Sequence, residues 1–342
     1  MVNAKEKQFN EKSLKVPVNK DAILVVKNLK KYFPLGSGFF KKSTQFIRAV
    51  DDVSFLLERG KTLGVVGESG CGKTTLGRTI LRLHSITSGS VIYNGIDIGT
   101  IKKHKLRKLR PKIQIIFQDP FSSLSPRMTV GEIIGEAVRV HKIVPREKYR
   151  DFIINIMKSC GLQSHYFDRF PHEFSGGQRQ RICIARAIAL NPDLIICDEP
   201  VSALDISIQA QILNLLKDLQ KRYALTYIFI SHDLSVVKHI SDDVAVMYLG
   251  SVVELGKKER IFNNPMHPYT KALMSAVPVP DPKVKMDRII LHGDIPSPVN
   301  PPNGCKFHTR CKDCMEICKR VAPKYKEYES GHKVACHLFS QD

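Results

Sequence analysis

The stretch from Gly67 to Thr75, GESGCGKTT, combines closely spaced glycines with a lysine and three hydroxyl side chains. It lies between the apolar run TLGVVG and the segment TTLGRTILRLH, a strand-to-helix context in which such a loop binds phosphate. Glycines let successive backbone N–H groups converge on phosphate oxygens, the lysine reaches the terminal phosphates, and the hydroxyl after it binds Mg²⁺. We therefore predict a nucleotide site formed by Gly67, Glu68, Ser69, Gly70, Cys71, Gly72, Lys73, Thr74 and Thr75.

Two consecutive carboxylates, Asp198 and Glu199, end the apolar run LIICDEP. A run of this length is typical of a buried parallel strand. Because side chains alternate along a strand, Asp198 can face Mg²⁺ while Glu199 polarises a water molecule as a general base, a role that contributes about 10²–10⁴-fold to a rate. An acidic strand end that merely faces solvent is the alternative, and the complete glycine loop elsewhere in the chain argues against it.

Two further polar residues come at the ends of predicted strands. Gln118 comes after IQIIF, and His232 comes after TYIFI. Ligands of α/β sheets bind at the carboxyl ends of the strands, so both side chains are expected at the same edge as the glycine loop. A single histidine or loop glutamine often has no functional role. Gln118 and His232 are candidate site residues because they are expected at the carboxyl edge of the sheet.

A second phosphate-binding segment is present in FSGGQRQR, which precedes the helix-forming run ICIARAIAL. Ser175 supplies a hydroxyl, and Gly176 and Gly177 permit close backbone approach at a helix N-terminus, which attracts anions. The chain thus carries two half-sites for what should be one nucleotide.

The elements that must position these residues form an α/β fold. Residues 22 to 66 alternate like strands and predict an antiparallel edge, and the runs IQIIF, LIICD, TYIFI and VAVMYLG predict a mostly parallel core sheet. Helical patterns between residues 120 and 192 predict an inserted helical subdomain. After about residue 265 prolines multiply, so the tail should be loop-rich and held by something other than a hydrophobic core.

The totals constrain the partners. The 342 residues carry a formal charge of +20, which calls for an anionic partner. Residues 1–20 are predicted to form a flexible basic arm without a secretory signal, and no run approaches the roughly 18 apolar residues of a membrane span. The basic run KKHKLRKLRPK lacks the interleaved aromatics of a nucleic-acid site, which favours a solvated face near anionic lipid. We expect a cytoplasmic protein whose membrane role, if any, is peripheral.

Five of the nine cysteines crowd the tail. In a reducing cytosol such crowding favours a metal over disulfides. Cys71 lies at a helix start, which can lower a thiol pKa, but we interpret it as a filler of the loop. No role is predicted for the remaining cysteines, Cys160, Cys183 and Cys197.

The order GESGCGKTT, Gln118, FSGGQ, CDEP, SALD and His232 resembles the ATP-binding cassette of ABC transporters, from about residue 23 to 256. The resemblance implies a P-loop NTPase cassette in which Gln118 senses Mg²⁺ and the transport subunit, Glu199 is the catalytic base and His232 holds the γ-phosphate. It also implies that Phe33, in LKKYF, stacks on adenine, with Tyr32 as the neighbouring candidate.

The resemblance also explains the second half-site. In such cassettes two subunits pair head to tail, so that the serine-glycine segment of one chain completes the nucleotide site of the other. It implies that Ser175, Gly176, Gly177 and Gln178 contact a nucleotide held by another chain and that Asp205, in SALD, lies at the interface. Closing the pair on ATP and opening it after hydrolysis is a two-state motion that can drive a membrane partner.

The tail resembles the C-terminal extension of oligopeptide and dipeptide importer ATPases in NNPMHPYTKAL, IPSPVNPPNGCKFHTRC and GHKVACHL, and FQDPFSSLSPRMTVGEII resembles the F-type member of the pair. It implies an ATPase domain at residues 21–264 with a helical subdomain at about 120–192, and an extension at 265–342. The implied partners are two transmembrane permease subunits, a paralogous ATPase subunit and, indirectly, a peptide-binding protein, at the cytoplasmic face of the cell membrane.

In relatives the cysteine pattern can hold a [4Fe–4S] cluster, which here maps onto Cys305, Cys311, Cys318 and Cys336. Cys314 departs from the pattern as a fifth thiol. It leaves open a ligand exchange or a zinc site of Cys305, Cys311, Cys314 and Cys318, since Zn²⁺ also accepts four thiolates.

The sequence therefore predicts an ATPase that uses ATP and Mg²⁺ to power import of di- or oligopeptides. One alternative is an ABC-type ATPase acting on nucleic acid or ribosomes, but the chain shows neither the long coiled coil nor the second cassette common there, so no nucleic-acid partner is expected. Other cargo such as nickel, and a redox or iron-sensing role of the cysteine tail, are further alternatives. Peptide preference and the identity of the second ATPase chain stay open.

Overall fold

The computed structural model of the protein describes residues 21–36, 45–277, 288–329 and 331–339, and the arm predicted for residues 1–20 lies outside them. Within these residues the strands are β1 (Ala22–Leu35), β2 (Gln45–Glu58), β3 (Thr62–Val66), β4 (Ser88–Tyr93), β5 (Ile96–Asp97), β6 (Ile113–Ile116), β7 (Leu194–Asp198), β8 (Thr226–Ile230), β9 (Asp243–Tyr248), β10 (Ser251–Lys257), β11 (Lys326–Glu329) and β12 (His332–Val334).

The α-helices of the same residues are α1 (Lys73–Ile80), α2 (Lys103–Leu109), α3 (Pro120–Ser123), α4 (Val130–Val140), α5 (Tyr149–Ser159), α6 (Gly176–Ile188), α7 (Ile206–Tyr223), α8 (Leu234–Ile240), α9 (Lys258–Asn263), α10 (Pro268–Ser275) and α11 (Glu316–Arg320). None of these helices is both long enough and apolar enough to cross a bilayer.

The larger sheet has the strand order β11-β12-β10-β9-β3-β8-β7-β6. Its strands β6, β7, β8, β3 and β9 run parallel, which confirms the predicted mostly parallel core. β3, β7 and β8 are buried along their whole length, as expected for apolar strands covered on both faces. Their carboxyl ends therefore lie along one edge, where the predicted site residues follow.

The smaller sheet is antiparallel, with the order β2-β1-β4-β5. It forms the predicted antiparallel edge of the fold. Helix α1, which begins in the glycine loop, buries Leu76 and Ile80 in one core together with Leu24 of β1 and Ile228 of β8. This burial on both sides fixes the glycine loop relative to both sheets.

Helices α3 to α6 lie between β6 and β7 in the chain, within the range predicted for a helical subdomain. α4 and α5 pack Ile134 and Met157 into the same core as Ile182 of α6. α6 therefore has a packed base, and its N-terminus presents the serine-glycine segment.

The tail differs from its prediction. It is rich in loops, but β12 pairs with β10 and extends the main sheet, and Phe307 and Val334 are almost completely buried. Phe307 and Tyr269 belong to the main apolar core. The expectation that something other than a hydrophobic core holds the tail is wrong for these residues, because a few large side chains anchor loops that carry little apolar periodicity.

Candidate functional site

A cavity of about 670 Å³ lies at the carboxyl edge of the parallel strands. It brings together ten of the predicted site residues: Phe33, Ser69, Gly70, Gly72, Lys73, Thr74, Thr75, Gln118, Glu199 and His232. Its volume and the polar groups that converge in it are those of a ligand site.

The glycine loop can take its shape only with glycine at two positions. Gly72 has φ 104°, and a Cβ atom there would lie 2.0 Å from the carbonyl oxygen of Ala49. Gly67 has φ 148°, and its Cβ would lie 2.2 Å from the carbonyl oxygen of Met247. The loop backbone is thus pressed against neighbouring strands, and its other side faces the cavity.

Lys73 is buried, and its ammonium group is held by the loop itself. Nζ donates to the carbonyl oxygens of Gly67 (2.7 Å) and Glu68 (3.0 Å). The thiol of Cys71 lies 3.8 Å away, and burial raises its pKa, so Cys71 is a neutral packing group. This agrees with its interpretation as a filler.

Thr74 and Asp198 form a candidate Mg²⁺ site. Thr74 Oγ1 donates to Asp198 Oδ1 at 2.7 Å. The other oxygen, Oδ2, is buried without a hydrogen-bond partner among the described residues, 3.7 Å from Arg78 Nη2, and burial raises the pKa of Asp198. A hydroxyl and an unsatisfied carboxylate oxygen are ligands of the type that Mg²⁺ prefers, so these residues fit the predicted ion.

Three predicted catalytic side chains meet at one atom. Gln118 Nε2 donates to Glu199 Oε2 at 2.9 Å, and His232 Nδ1 lies 3.1 Å from the same oxygen. Each residue follows a different parallel strand, and the strand order β8-β7-β6 places the three ends side by side. The carboxylate is thereby oriented from two sides.

Glu199 has a backbone conformation that is rare for its residue type. Its φ is 48°, in the left-handed region. A side chain there costs roughly 1–3 kcal/mol, and such strain is concentrated at functional sites. The turn is held by hydrogen bonds from Glu199 N–H to the carbonyl oxygen of Ile230 (3.0 Å) and from Ser202 Oγ to the carbonyl oxygen of Glu199 (3.1 Å).

The structure distinguishes the two candidates for stacking on the base. Phe33 lines the cavity, with His84 edge-on at 5.3 Å and Lys31 Nζ 4.6 Å from its ring centroid. Tyr32 is not among the residues that line the cavity, and its hydroxyl donates to Asp51. The geometry therefore favours Phe33.

The serine-glycine segment lies apart from this cavity. Of Ser175, Gly176, Gly177 and Gln178, all of them described, none lines it. Ser175 caps α6 in a capping box: Gln178 N–H donates to Ser175 Oγ (3.4 Å), and Ser175 N–H donates to Gln178 Oε1 (3.0 Å). A Cβ atom at Gly177 would lie 2.6 Å from Ile208 Cγ2, so this glycine also has a packing reason that the sequence did not indicate.

Asp205 precedes α7 as its N-cap residue and is exposed. Its side chain makes no capping hydrogen bond, and the next residue, Ile206, is 85% exposed. Ile206 and the carboxylate of Asp205 are both exposed and could contact another chain, which is compatible with the predicted subunit interface.

The predicted cysteine site is not formed as a metal centre in the described residues, which contain no group of three or more His, Cys, Asp or Glu side chains placed to hold an ion. Burial, aided by the neighbouring thiols, raises the pKa of Cys305 to about 12 and that of Cys311 to about 11. The prediction for Cys305, Cys311, Cys314, Cys318 and Cys336 therefore has no support from this geometry.

Several cavity residues were missed by the sequence reasoning: Ile47, Arg48, Ala49, Leu249, Gly250 and Pro298. Pro298 belongs to the tail, and its carbonyl oxygen accepts from Arg48 N–H at 3.0 Å. Nothing in the local pattern links these residues, because β2, the turn after β9 and the tail meet only in the folded chain.

Comparison with known proteins agrees with this geometry. Residues 50–202 match the ABC transporter family, and residues 253–318 match the oligopeptide/dipeptide transporter C-terminal region. The chain is 53% identical to the oligopeptide transport ATP-binding protein AppF of Bacillus subtilis, over 94% of this chain and 99% of that protein. It is 50% identical to the dipeptide transport ATP-binding protein DppF of Escherichia coli, over 92% of this chain and 94% of that protein.

Solved structures resemble the cassette portion. A dimeric post-hydrolysis state of the ATP-binding cassette MJ0796, bound to ADP and Pi, is 28% identical with a TM-score of 0.61 and covers 69% of this chain and 98% of that one. The cassette cbiO1 of Clostridium perfringens, part of the transporter complex cbiONQ, is 28% identical with a TM-score of 0.62 and covers 72% of this chain and 92% of that one. Both are P-loop cassettes with the α/β fold predicted here. The chain belongs to the ABC transporter family, among the oligopeptide and dipeptide transport ATP-binding proteins.

Proposed function

We propose that the protein is an ATPase subunit that powers the import of di- and oligopeptides through a membrane ABC transporter. The observation that carries this is the convergence of Gln118 and His232 on one oxygen of Glu199, in a cavity lined by the glycine loop. The peptide cargo is supported by the match of residues 253–318 and by the relatives named for peptide transport.

In this mechanism the loop backbone and Lys73 bind the phosphates of ATP, and the ammonium group exchanges the carbonyls of Gly67 and Glu68 for phosphate oxygens. Mg²⁺, held by Thr74 and Asp198, neutralises phosphate charge when bound.

Glu199 accepts the proton of the attacking water, and Gln118 and His232 keep its carboxylate aimed at that water. Both contacts are made at Oε2, and we assign the second oxygen, Oε1, to the water. General-base catalysis of this type contributes roughly 10²–10⁴-fold. His232 also contacts the γ-phosphate in this scheme.

The second chain completes the site. The segment Ser175–Gln178 lies outside the cavity of its own chain, and the related cassette MJ0796 is a dimer. We assign the partner to a paralogous ATPase subunit that docks head to tail, with two permease subunits and an indirectly acting peptide-binding protein, at the cytoplasmic face of the membrane.

The cysteine-rich region is proposed to bind a [4Fe–4S] cluster, or Zn²⁺ as the alternative, with the thiols giving up their protons as the metal binds. The proximity of Cys305 and Cys318 supports this, since Cys305 N–H donates to the carbonyl oxygen of Cys318 at 2.8 Å. Iron and sulfide analysis after anaerobic purification tests this, and protein that contains neither iron, sulfide nor zinc contradicts it.

The proposed function is tested by reconstituting the transporter in proteoliposomes and measuring peptide uptake together with ATP hydrolysis. We expect uptake of labelled di- or oligopeptides that requires ATP, and loss of both activities in Lys73→Ala. Lys319→Gln, which alters only an exposed ion pair with Glu316, is the matched control and should retain both. Stimulation of hydrolysis by Ni²⁺ or nucleic acid but not by peptides would contradict the proposal.

A further inference from the structure

The C-terminal extension reaches into the nucleotide site through Glu68 of the glycine loop. Arg310 donates two hydrogen bonds to its carboxylate, Nη1 to Oε2 at 2.8 Å and Nη2 to Oε1 at 3.1 Å. Glu68 N–H donates to the hydroxyl of Tyr269 at 2.9 Å. Both partners come from the segment that matches the oligopeptide/dipeptide C-terminal region.

Glu68 is also the residue that holds Lys73. Its carbonyl oxygen accepts from Lys73 Nζ at 3.0 Å and from Cys71 N–H at 3.2 Å. The side chain, the N–H and the carbonyl of one loop residue therefore connect the extension to the phosphate-binding lysine. A displacement of Glu68 therefore moves a hydrogen-bond acceptor of the Lys73 ammonium group.

The ion pair has the features of a strong one. The Arg310 side chain is 7% exposed, the two hydrogen bonds are bidentate, and the Glu68 carboxylate raises the pKa of Arg310. Bidentate guanidinium–carboxylate pairs are shorter and stronger than neutral hydrogen bonds and fix the orientation of both groups.

Arg310 and Tyr269 are themselves held by an aromatic cluster. The rings of Tyr248, Tyr269 and Phe307 lie with centroids 4.8–5.3 Å apart, and all three are almost fully buried. Tyr248 belongs to β9 of the main sheet, and Phe307 stands three residues before Arg310. Such offset and edge-on ring pairs make a rigid support for the groups that they carry.

The same segment supports the opposite wall of the cavity. Lys306 Nζ donates to Asp51 Oδ2 (2.8 Å), to the carbonyl oxygen of Leu249 (2.9 Å) and to Ser251 Oγ (2.7 Å). Asp51 also accepts from the hydroxyl of Tyr32, beside Phe33. The extension thus contacts the phosphate-binding loop at Glu68. It also contacts Asp51, which holds Tyr32 next to Phe33, the residue proposed to stack on the base.

These contacts are not needed to attach the extension. It is already attached by the pairing of β12 with β10 and by the buried carboxylate of Glu254, which accepts from His332 Nε2 (2.8 Å) and from the N–H groups of Met266 (2.8 Å) and His267 (2.9 Å). The Arg310–Glu68 pair adds a specific restraint on the loop.

We propose that Arg310 is a positioning residue of the ATP site: through Glu68 it holds the glycine loop and Lys73 in the arrangement that receives the phosphates. The inference rests on the proposed ATPase function. Without Arg310 the loop must be ordered when ATP binds, which weakens ATP binding. Gln118, Glu199 and His232 do not contact the Arg310–Glu68 pair, so their catalytic roles are unchanged.

The test measures fluorescent ATP-analogue binding to the full-length protein, and KM and kcat in the assembled transporter. We expect Arg310→Gln and Glu68→Gln each to raise the Kd and the KM for ATP about tenfold. The kcat at saturating ATP should stay within about twofold, since the catalytic contacts are unchanged. The double variant should bind no worse than either single variant, because both remove one interaction.

Two further variants separate positioning from general destabilisation. The charge swap Glu68→Arg with Arg310→Glu should recover part of the affinity, and Lys319→Gln should bind ATP like the wild type. If Arg310→Gln does not fold, Tyr269→Phe, which removes only the hydroxyl that accepts from Glu68 N–H, takes its place with the same expected rise in Kd.

The outcomes distinguish the two proposals. Unchanged ATP affinity in Arg310→Gln or, where it replaces that variant, in Tyr269→Phe overturns the positioning role while the ATPase function stands, as does a fall in kcat with an unchanged KM. Additive effects of the Arg310 and Glu68 variants also overturn it. A wild-type protein that neither binds nor hydrolyses ATP instead overturns the proposed function.

Discussion

Glu199 combines an unusual backbone conformation with a carboxylate that is oriented from two sides. Its left-handed φ and its contacts with Gln118 and His232 are features of a residue whose position is set by function. The sequence placed all three side chains at one edge of the sheet, because each comes at or just after the end of an apolar run typical of a parallel strand, and the resemblance to ABC cassettes supplied their roles.

Glu199→Gln retains the size of the side chain but removes the base. We expect the rate of ATP hydrolysis to fall by roughly 10²–10⁴-fold, while ATP still binds, because the glycine loop and Lys73 are unchanged. Hydrolysis assays and nucleotide-binding titrations check both parts. Full hydrolysis in the variant would remove Glu199 from the role of base.

Arg310 and Lys306 show what residue patterns alone do not reveal. Arg310 stands 242 positions from Glu68, and Lys306 stands 255 positions from Asp51. Both lie in the stretch CKFHTRC, which marks the tail but does not indicate what these two side chains contact, so their partners depend on where the tail folds back. The sequence identified the phosphate-binding residues themselves but not the residues that hold them in place.

Among the elements, the parallel strands were the most predictable because short apolar runs bounded by turn residues admit few other structures. β12 was not predicted, since a three-residue strand has no period to recognise. Its pairing with β10 and the buried Glu254–His332 contact attach the tail to the main sheet. The tail is consequently part of the cassette's core, in contrast to the prediction from its proline content.

Helix α10 has a histidine cap whose charge state affects stability. His267 Nδ1 accepts from Tyr269 N–H at 3.0 Å, and complete burial lowers the pKa of His267 to about 4, although the nearby Glu254 carboxylate opposes the shift. His332 faces the same carboxylate. The neutral imidazole is therefore the folded form at neutral pH.

Because the unfolded chain binds this proton below pH of about 6.5 and the folded chain does not until about pH 4, stability is full at neutral pH and falls on acidification between these values. The loss from His267 alone should be about 2 kcal/mol at pH 5, at about 1.4 kcal/mol for each pH unit below 6.5. Urea unfolding at pH 7.5 and pH 5 measures it. His267→Asn, which retains a cap acceptor but does not titrate, should show a flatter dependence, and an identical dependence would contradict this role.

At the scale of the whole molecule, the two phosphate-binding segments of one chain lie apart. Its cavity contains the glycine loop and the catalytic side chains, and the segment Ser175–Gln178 lies elsewhere among the described residues. The exposed Ile206 beside Asp205 adds an apolar surface at the start of α7, the helix whose Ile208 packs against Gly177. Under the proposed function two chains surround one nucleotide, which would account for the two phosphate-binding segments of the sequence.

The most direct measurement is a structure of the assembled transporter containing Glu199→Gln, determined with ATP and Mg²⁺. It should show Ser175 Oγ and the backbone of Gly177 about 3 Å from the γ-phosphate of a nucleotide held by the glycine loop of the other ATPase chain. A nucleotide bound to the glycine loop while every Ser175–Gln178 segment faces solvent would contradict a site shared between two chains.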